Sequence, residues 1–260
     1  RSGTKSAQVY LVSPESAAAA AITGVITDPR DLGFEVPEIT IEEKCVTNDS
    51  MILSPSIEPE KVKLIKGPNI VSLTLKEPLE DKIEAVIQLK LGDNITTDDI
   101  LPGGAEVLPL RANLPKSSEY TFILLDPEFV SRMKEQGKGI LVGGLNYGQG
   151  SSREMAAFVC MYLGIKVIIT KSFARIHRNN LINSGVLPLI FERLEDYDRL
   201  EQGDLLEIKV ENLESNIINI KNKTKKFVFM VKHDLTNREK QIIKAGGALP
   251  YYRNKRSKED

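Results

Sequence analysis

The residues best suited to chemistry in this 260-residue chain lie in one stretch, Gly148 to Glu154, which reads Gly-Gln-Gly-Ser-Ser-Arg-Glu. Glycines allow a backbone to approach a ligand closely, and the N–H groups at a helix N-terminus attract anions. An arginine beside two hydroxyls adds charge and further hydrogen-bond donors. The stretch therefore predicts a site for an oxyanion or a carboxylate.

Ser151 has two interpretations. Ser151 and Glu154 stand in the Ser-x-x-Glu relation of a capping box, which predicts a helix over 152–163 that Ser151 merely caps. Alternatively, several N–H donors and the adjacent Arg153 favour the alkoxide form of Ser151, which would make it a base or a nucleophile. The local pattern leaves both interpretations open.

Other chemically suggestive residues are more isolated. Arg111 lies between two prolines, on a stiff loop that suits bidentate carboxylate binding, although composition alone favours an ordinary surface arginine. Asp98 and Asp99 follow two threonines, a pattern more typical of a capped turn than of a metal site. A lone histidine on a helix is more often structural than catalytic, so we predict a structural role for His177. His233 stands next to Asp234 and is predicted to lie in a turn.

Apolar periodicity predicts the elements that position these residues. Strand 139–144, helix 152–163 and strand 166–170 form a β-α-β unit with parallel strands. The other expected strands are 8–12, 62–65, 71–75, 85–89, 122–125 and 186–191, with antiparallel strands inside 205–232. The other expected helices are 14–23, 127–136, 174–183 and 238–245. These elements predict the α/β fold class.

The chain is expected to comprise three parts. Residues 1–30 contain one strand and one helix, too little for a core, and are predicted to be the remnant of another domain. Residues 31–84 are rich in proline and charge and are predicted to be an interdomain linker. Residues 85–260 form the main domain. Because the chain opens at Arg1 without a methionine, we expect it to be a piece of a longer protein.

Composition excludes several classes of function. The net charge is −1, which does not favour nucleic-acid binding, and no apolar run is long enough to span a membrane. The two cysteines, Cys45 and Cys160, are far apart and can build neither a disulfide framework nor a complete metal or iron–sulfur site. A reducing, cytoplasmic location is therefore predicted.

Five motifs, taken in order, resemble those of the aconitase family, and the resemblance covers nearly the whole chain. They are Gly-Asp-Asn-Ile-Thr-Thr-Asp (92–98), Val-Leu-Pro-Leu-Arg-Ala-Asn (107–113), Asn-Tyr-Gly-Gln-Gly-Ser-Ser-Arg-Glu (146–154), Ile-Ile-Thr-Lys-Ser-Phe-Ala-Arg-Ile-His (168–177) and Gly-Val-Leu-Pro-Leu (185–189). The resemblance implies that 85–260 is the swivelling β/β/α domain of that family. It also implies that the opening strand and helix are the tail of the third catalytic domain.

The resemblance further implies an activity and its residues. The activity is that of a hydro-lyase of the tricarboxylic acid cycle, which interconverts citrate and isocitrate through cis-aconitate. Ser151 corresponds to the family's catalytic base. The residues that correspond to its substrate ligands, which bind the tricarboxylate, are Ser152, Arg153, Arg111 and Arg1.

In the family, a 4Fe-4S cluster acts on the substrate, and the domains that hold it precede Arg1. The resemblance therefore implies a partnership with cluster-bearing N-terminal domains and no cluster bound by this chain alone. We expect the isolated chain not to turn over cis-aconitate. Asp99 and Met155 stand where the family usually has histidine, and both changes are expected to weaken support around the substrate.

Two alternatives stay open. The first is a related dehydratase that acts on homoaconitate, 2-methylcitrate or 3-isopropylmalate, and among these an arginine at position 111 favours a tricarboxylate. The second is an inactive or RNA-binding module of aconitase type, which the balanced charge disfavours.

Overall fold

The structure is a computed structural model that describes residues 8, 10–35, 38 and 47–257. Residue contacts divide the chain into two units, Arg1–Lys63 and Leu64–Asp260. The first unit contains helix α1 (Pro14–Thr23), as predicted, which Gly24 ends at a φ of +77°. Gln8 and residues 10–12 have no regular structure, so the strand predicted at 8–12 is wrong at its described residues.

The second unit is built on a closed seven-strand sheet, which confirms the predicted α/β class. In chain order its strands are β1 (Lys82–Lys90), β2 (Gly139–Gly143), β3 (Ile165–Thr170), β4 (Leu187–Phe191), β5 (Leu205–Lys209), β6 (Ile217–Asn222) and β7 (Phe227–Lys232). The spatial order is β1-β2-β3-β4-β7-β6-β5, and β5 closes the barrel on β1. Strands β1 to β4 are parallel, as predicted for β2 and β3, whereas the remaining pairings are antiparallel.

Helices connect and cover the strands of this unit. They are α2 (Thr97–Ile100), α3 (Leu114–Ser118), α4 (Phe129–Gln136), α5 (Met155–Tyr162), α6 (Arg175–Asn183), α7 (Asn237–Lys244) and α8 (Ala248–Arg256). Within the described ranges, no helix has the length and apolar character needed to cross a bilayer. Helix α8 is not among the predicted helices, because its Tyr-Tyr-Arg-Asn-Lys-Arg sequence has little apolar periodicity.

Side chains alternate along the strands of the barrel, so its apolar residues form two clusters, one inside the barrel and one outside it. On β2, Ile140 and Val142 point into the barrel, where they join side chains from all the other strands. Leu141 points outward and packs with residues of α4 and α5. The parallel half of the barrel is therefore buried on both sides, which explains the continuous apolar run of β2.

The strand predicted at 122–125 is wrong. The apolar sequence there favours a strand, but Phe122 adopts a φ of +55° within a turn. Its N–H donates to the carbonyl of Ile100 (2.9 Å), and its ring is fully buried. A tertiary contact thus overrides local propensity.

The strands predicted at 62–65 and 71–75 are also wrong, because both segments have no regular structure. The alternation inside 205–232 is confirmed, since Leu206, Ile208, Phe229 and Val231 all face the barrel interior. The segment contains three strands, however: β6 pairs with both β5 and β7, and the predicted alternation covers only β5 and β7.

Candidate active site

The candidate site lies at the edge of the barrel where β1, β2 and β3 end. These strands are parallel neighbours, so their carboxyl ends share one edge, which is where parallel α/β sheets bind ligands. Backbone hydrogen bonds join the three following loops: Gly144 N donates to Gly92 O (3.0 Å), and Tyr147 N donates to Ser172 O (2.9 Å). The predicted serine loop is therefore fixed between two others.

Two glycines give the serine loop its path. Gly148 has a φ of +82° and Gly150 a φ of +106°, values that side-chain-bearing residues rarely adopt. The N–H groups of Gly148 and Gln149 both donate to Ile95 O, at 2.7 and 3.1 Å. In return, Gln149 O accepts from the N–H of Thr97 (2.9 Å). The loop after β2 is thus tied to the loop after β1.

The capping box predicted at Ser151 is wrong, and so is the helix start at residue 152. Helix α5 begins at Met155, and its N-cap residue, Glu154, makes no side-chain cap bond. The carbonyl of Ser151 accepts from the Arg153 N–H (2.7 Å) and from the Thr97 hydroxyl (3.3 Å). These bonds hold an extra turn ahead of the helix.

This extra turn changes what the serine side chains can do. Ser151 and Ser152 are both exposed, and within the described residues neither hydroxyl has a hydrogen-bond partner. Ser151 and Ser152 lie four and three residues before Met155, where α5 begins. The site therefore offers two uncommitted hydroxyls to a ligand, and the role of Ser151 as a base stays a prediction.

Arg153 is held in place by the loop after β1. Its Nη1 donates to Asp98 Oδ1 (2.6 Å) and to Leu101 O (3.2 Å), and its Nη2 donates to Asp98 Oδ2 (3.3 Å). The N–H of Gly103 also donates to Asp98 Oδ1 (3.0 Å). A Cβ atom at Gly103 would lie 2.6 Å from Arg153 Cζ, so only glycine leaves room for the guanidinium. Sequence reasoning identified Arg153 but missed the supporting roles of Asp98 and Gly103.

The capped turn predicted around Asp99 is confirmed. The Asp99 carboxylate accepts from the Thr96 N–H (2.7 Å), while the Asp99 N–H donates to the Thr96 hydroxyl (3.0 Å). This reciprocal pair is a capping box on α2. Met155, the other departure from the family pattern, begins α5 and packs on the outer apolar cluster. Asp99 therefore contributes locally to the turn that carries Asp98.

Arg111 lies in the same connection between β1 and β2 as Asp98 and Gly103. It ends a short 3-10 turn at Leu108–Leu110, and its side chain is exposed. No salt bridge to Arg111 is found in the part of the chain that the structure describes, which leaves its guanidinium open to a ligand. Arg1, the remaining predicted ligand, lies outside the described residues, as does Cys45.

His177 lies directly beneath the serine loop, where it is 1% exposed. A Cβ atom at Gly148 would lie 2.5 Å from the Cβ of His177 and would also clash with its ring. Burial lowers the pKa of His177 to about 4, so the ring is neutral at physiological pH. This position supports the structural role predicted for His177. At the turn predicted for His233, its Nδ1 accepts from Leu235 N (3.3 Å).

The described residues do not fit an iron–sulfur cluster. They contain no group of three or more histidine, cysteine, aspartate or glutamate side chains that could hold a metal. Cys160 is fully buried among apolar residues of α5, and burial raises the pKa of its thiol to about 12. A thiol with that pKa is not a thiolate ligand at neutral pH.

A closed α/β barrel with four parallel and three antiparallel strands is the architecture of an aconitase-type swivel domain. A model of the aconitase C-terminal domain family matches residues 112–194. The methanogen homoaconitase small subunit of Methanocaldococcus jannaschii is 36% identical over 168 residues, which are 64% of this chain and 89% of that protein. The chain therefore belongs to the aconitase C-terminal domain family, a family of hydro-lyases.

Two further relatives extend this similarity. A crystal structure of 3-isopropylmalate dehydratase (leuD) from Methanocaldococcus jannaschii superimposes with a TM-score of 0.58 and 31% identity, covering 69% of this chain and 99% of that one. The mitochondrial homocitrate dehydratase of Saccharomyces cerevisiae is 28% identical and matches 99% of this chain. This chain spans only 39% of that larger protein.

Proposed function

We propose that this chain supplies the serine- and arginine-bearing half of a hydro-lyase active site whose substrate is a homoaconitate-type tricarboxylate. The observation that carries the proposal is the arrangement at the barrel edge. Two exposed serines, Ser151 and Ser152, immediately precede Arg153, whose guanidinium is held by Asp98. Arg111 adds a second, exposed guanidinium on the adjoining loop.

The bonds of Arg153 define how it would hold a carboxylate. Both hydrogens of its Nη1 are directed at Asp98 and Leu101, and one hydrogen of its Nη2 is directed at Asp98. The Nε–H and the second Nη2 hydrogen remain, and this pair suits a bidentate carboxylate. Asp98 therefore orients Arg153 without exhausting its donors.

Dehydration of such a substrate breaks a C–H bond next to a carboxylate and the C–O bond of the hydroxyl on the neighbouring carbon; a C=C bond forms, and the hydroxyl leaves as water after it is protonated. In the proposed mechanism, Ser151 takes the proton in dehydration and returns it in hydration. Arg153 and Ser152 hold the adjacent carboxylate, and the nearby positive charge lowers the cost of the Ser151 alkoxide. Positioning and charge stabilisation are thus the contributions of this chain.

The choice of substrate rests on the relatives and on Arg111. The homoaconitase and homocitrate dehydratase relatives support the alternative considered from the sequence, a related dehydratase, better than aconitate hydratase and its place in the tricarboxylic acid cycle. An exposed arginine suits the third carboxylate of a tricarboxylate. The solved 3-isopropylmalate dehydratase makes that enzyme type the second candidate, since it is covered almost completely.

The proposed function requires a partner. Because the described residues do not fit an iron–sulfur cluster, the cluster that the family resemblance implies would be held by a separate cluster-bearing part. The relative named as a homoaconitase small subunit is consistent with a division of the enzyme into two parts. The isolated chain is therefore expected to bind substrate weakly and to be inactive.

The test is a hydration assay on the complete enzyme that contains this chain, with cis-homoaconitate, cis-aconitate and 2-isopropylmaleate as substrates. We expect cis-homoaconitate to be the preferred substrate. Ser151→Ala should lower kcat by roughly 100- to 10,000-fold, the range typical of a lost general base. Preference for isopropylmaleate would favour the second candidate, and unchanged kcat in Ser151→Ala would refute the assigned base.

A further inference from the structure

An irregular segment, residues 71–79, crosses the second unit and is fixed at both ends; we call it the strap. At one end, Val71 N donates to Ala112 O (3.0 Å). At the other end, Leu79 N donates to Lys244 O (3.1 Å), and the Leu79 side chain joins the apolar cluster inside the barrel. The strap thus has no secondary structure, but a backbone hydrogen bond fixes each of its ends.

The middle of the strap is anchored by Lys76. Its Nζ donates to Gly185 O (2.8 Å) and to Ile165 O (3.5 Å), at the amino-terminal ends of β4 and β3. Burial, assisted by the charge of Lys166, lowers the pKa of Lys76 to about 7, while Glu80 acts in the opposite direction. Both the charged and the neutral amine can donate to these carbonyls.

Close packing restricts the strap further. A Cβ atom at Gly246 would lie 2.7 Å from the carbonyl oxygen of Lys76 and 2.6 Å from that of Glu77, so these backbones touch. Leu73 and Leu75 line a shallow groove with residues of α5 and α8. The strap therefore cannot shift along the barrel without losing contacts to several elements.

The Val71 end of the strap is bonded to Ala112, the residue that follows Arg111. On one side of Arg111, Leu110 O accepts from Asn113 N (2.7 Å) and from the Ser117 hydroxyl (2.7 Å). On the other side, Ala112 O accepts from the strap. The backbone of Arg111 is thus fixed between an anchor within its own loop and an anchor on the strap.

We infer that the strap is a positioning element for Arg111: anchored by Lys76 at the far edge of the barrel, it holds the loop that presents this arginine to substrate. The assignment of Arg111 to a substrate carboxylate rests on the proposed function. The mechanical link between the strap and the loop does not. The strap would thus adjust substrate selectivity without touching the substrate.

The first test is amide hydrogen exchange on the chain itself. Lys76→Met keeps the length of the side chain but removes both hydrogen bonds, and Lys209→Met replaces an exposed lysine of β5 as the matched control. We expect Lys76→Met to accelerate exchange at Val71 and Asn113 at least tenfold, whereas the control leaves both unchanged. Val71→Pro removes the N–H bound by Ala112 while Lys76 stays in place, and it should accelerate exchange at Asn113. Unaltered exchange at Asn113 in both variants overturns the proposal.

The second test is a double-mutant cycle in the complete enzyme. Lys76→Met should lower kcat/KM for cis-homoaconitate about tenfold through KM, with little effect on isopropylmaleate, which lacks the third carboxylate. In an Arg111→Met background, the effect of Lys76→Met should vanish, because both changes act through one guanidinium. Equal losses in both backgrounds refute positioning through Arg111. Absence of turnover by the unmodified enzyme contradicts the proposed function alone, because the exchange result is independent of it.

Discussion

Replacing Gly103 by alanine should displace Arg153 without changing any charge at the site. A Cβ atom at Gly103 would lie 2.6 Å from both Cζ and Nη1 of Arg153, far inside van der Waals contact. The guanidinium is the end of a long side chain, so it can move away at low cost. Gly104 is the matched control, since a Cβ atom there would have no heavy atom within 4 Å.

The expected effects on stability and on binding differ in size. The side chains of Arg153 and Asp98 are 21% and 59% exposed, and an ion pair this open contributes about 1 kcal/mol or less. Gly103→Ala should therefore change the free energy of unfolding by no more than about 1 kcal/mol. Hydrogen bonds from a charged group to a carboxylate contribute about 1.5–3 kcal/mol, so substrate affinity should fall roughly 10- to 150-fold.

The assay compares Gly103→Ala with Gly104→Ala in the complete enzyme. Urea unfolding measures stability, and initial rates with cis-homoaconitate give kcat and KM. We expect a raised KM in Gly103→Ala and near-normal kinetics in Gly104→Ala. Equal kinetics in the two variants would refute the inference that the absence of a side chain at position 103 is needed to place Arg153. A loss of stability in Gly103→Ala that by itself accounts for the lower activity would refute it as well.

Two further predictions concern the packing beneath the serine loop. Gly148→Ala should destabilise the chain by about 2–5 kcal/mol in urea unfolding, because it adds left-handed strain to a clash with His177; a cost below 1 kcal/mol would contradict this packing. The pKa of His177 falls from 6.5 to about 4 on folding, so the unfolded chain binds the extra proton between these values and stability is lost as pH falls through this window. At about 1.4 kcal/mol per pKa unit, this linkage amounts to roughly 3 kcal/mol. The difference in free energy of unfolding between the unmodified chain and His177→Gln should therefore shrink by that amount from pH 7 to pH 4. A constant difference would show that folding does not change the pKa of His177.

The sequence predicted the elements whose conformation depends on their own residues. The β-α-β unit around β2 and β3 is confirmed because a buried parallel strand requires an apolar run, which residues 140–142 and 167–169 provide. The strand predicted at 122–125 is wrong because its first residue takes a positive φ to reach the carbonyl of Ile100. Nothing within those four residues reports that distant partner.

The two capping patterns show the same limit more sharply. Ser151 and Thr96 each stand three residues before an acidic residue, and Ser151 is the better match because its partner is the usual glutamate. Only Thr96 forms the box with its partner. The carbonyl of Ser151 is already engaged by the hydroxyl of Thr97, which delays the helix by a turn. The loop after β1 therefore decides the conformation of the loop after β2.

The same dependence explains why the partner of Arg153 was missed. Asp98 and Arg153 are 55 residues apart, and they meet only because β1 and β2 are parallel neighbours whose carboxyl ends share an edge. Asp98 alone matches a turn residue, and Arg153 alone matches a solvated cation. Placed together, they leave one side of the guanidinium free and fix its direction. The placement of Arg153 against Asp98 is therefore a consequence of strand order, which no local pattern around either residue reports.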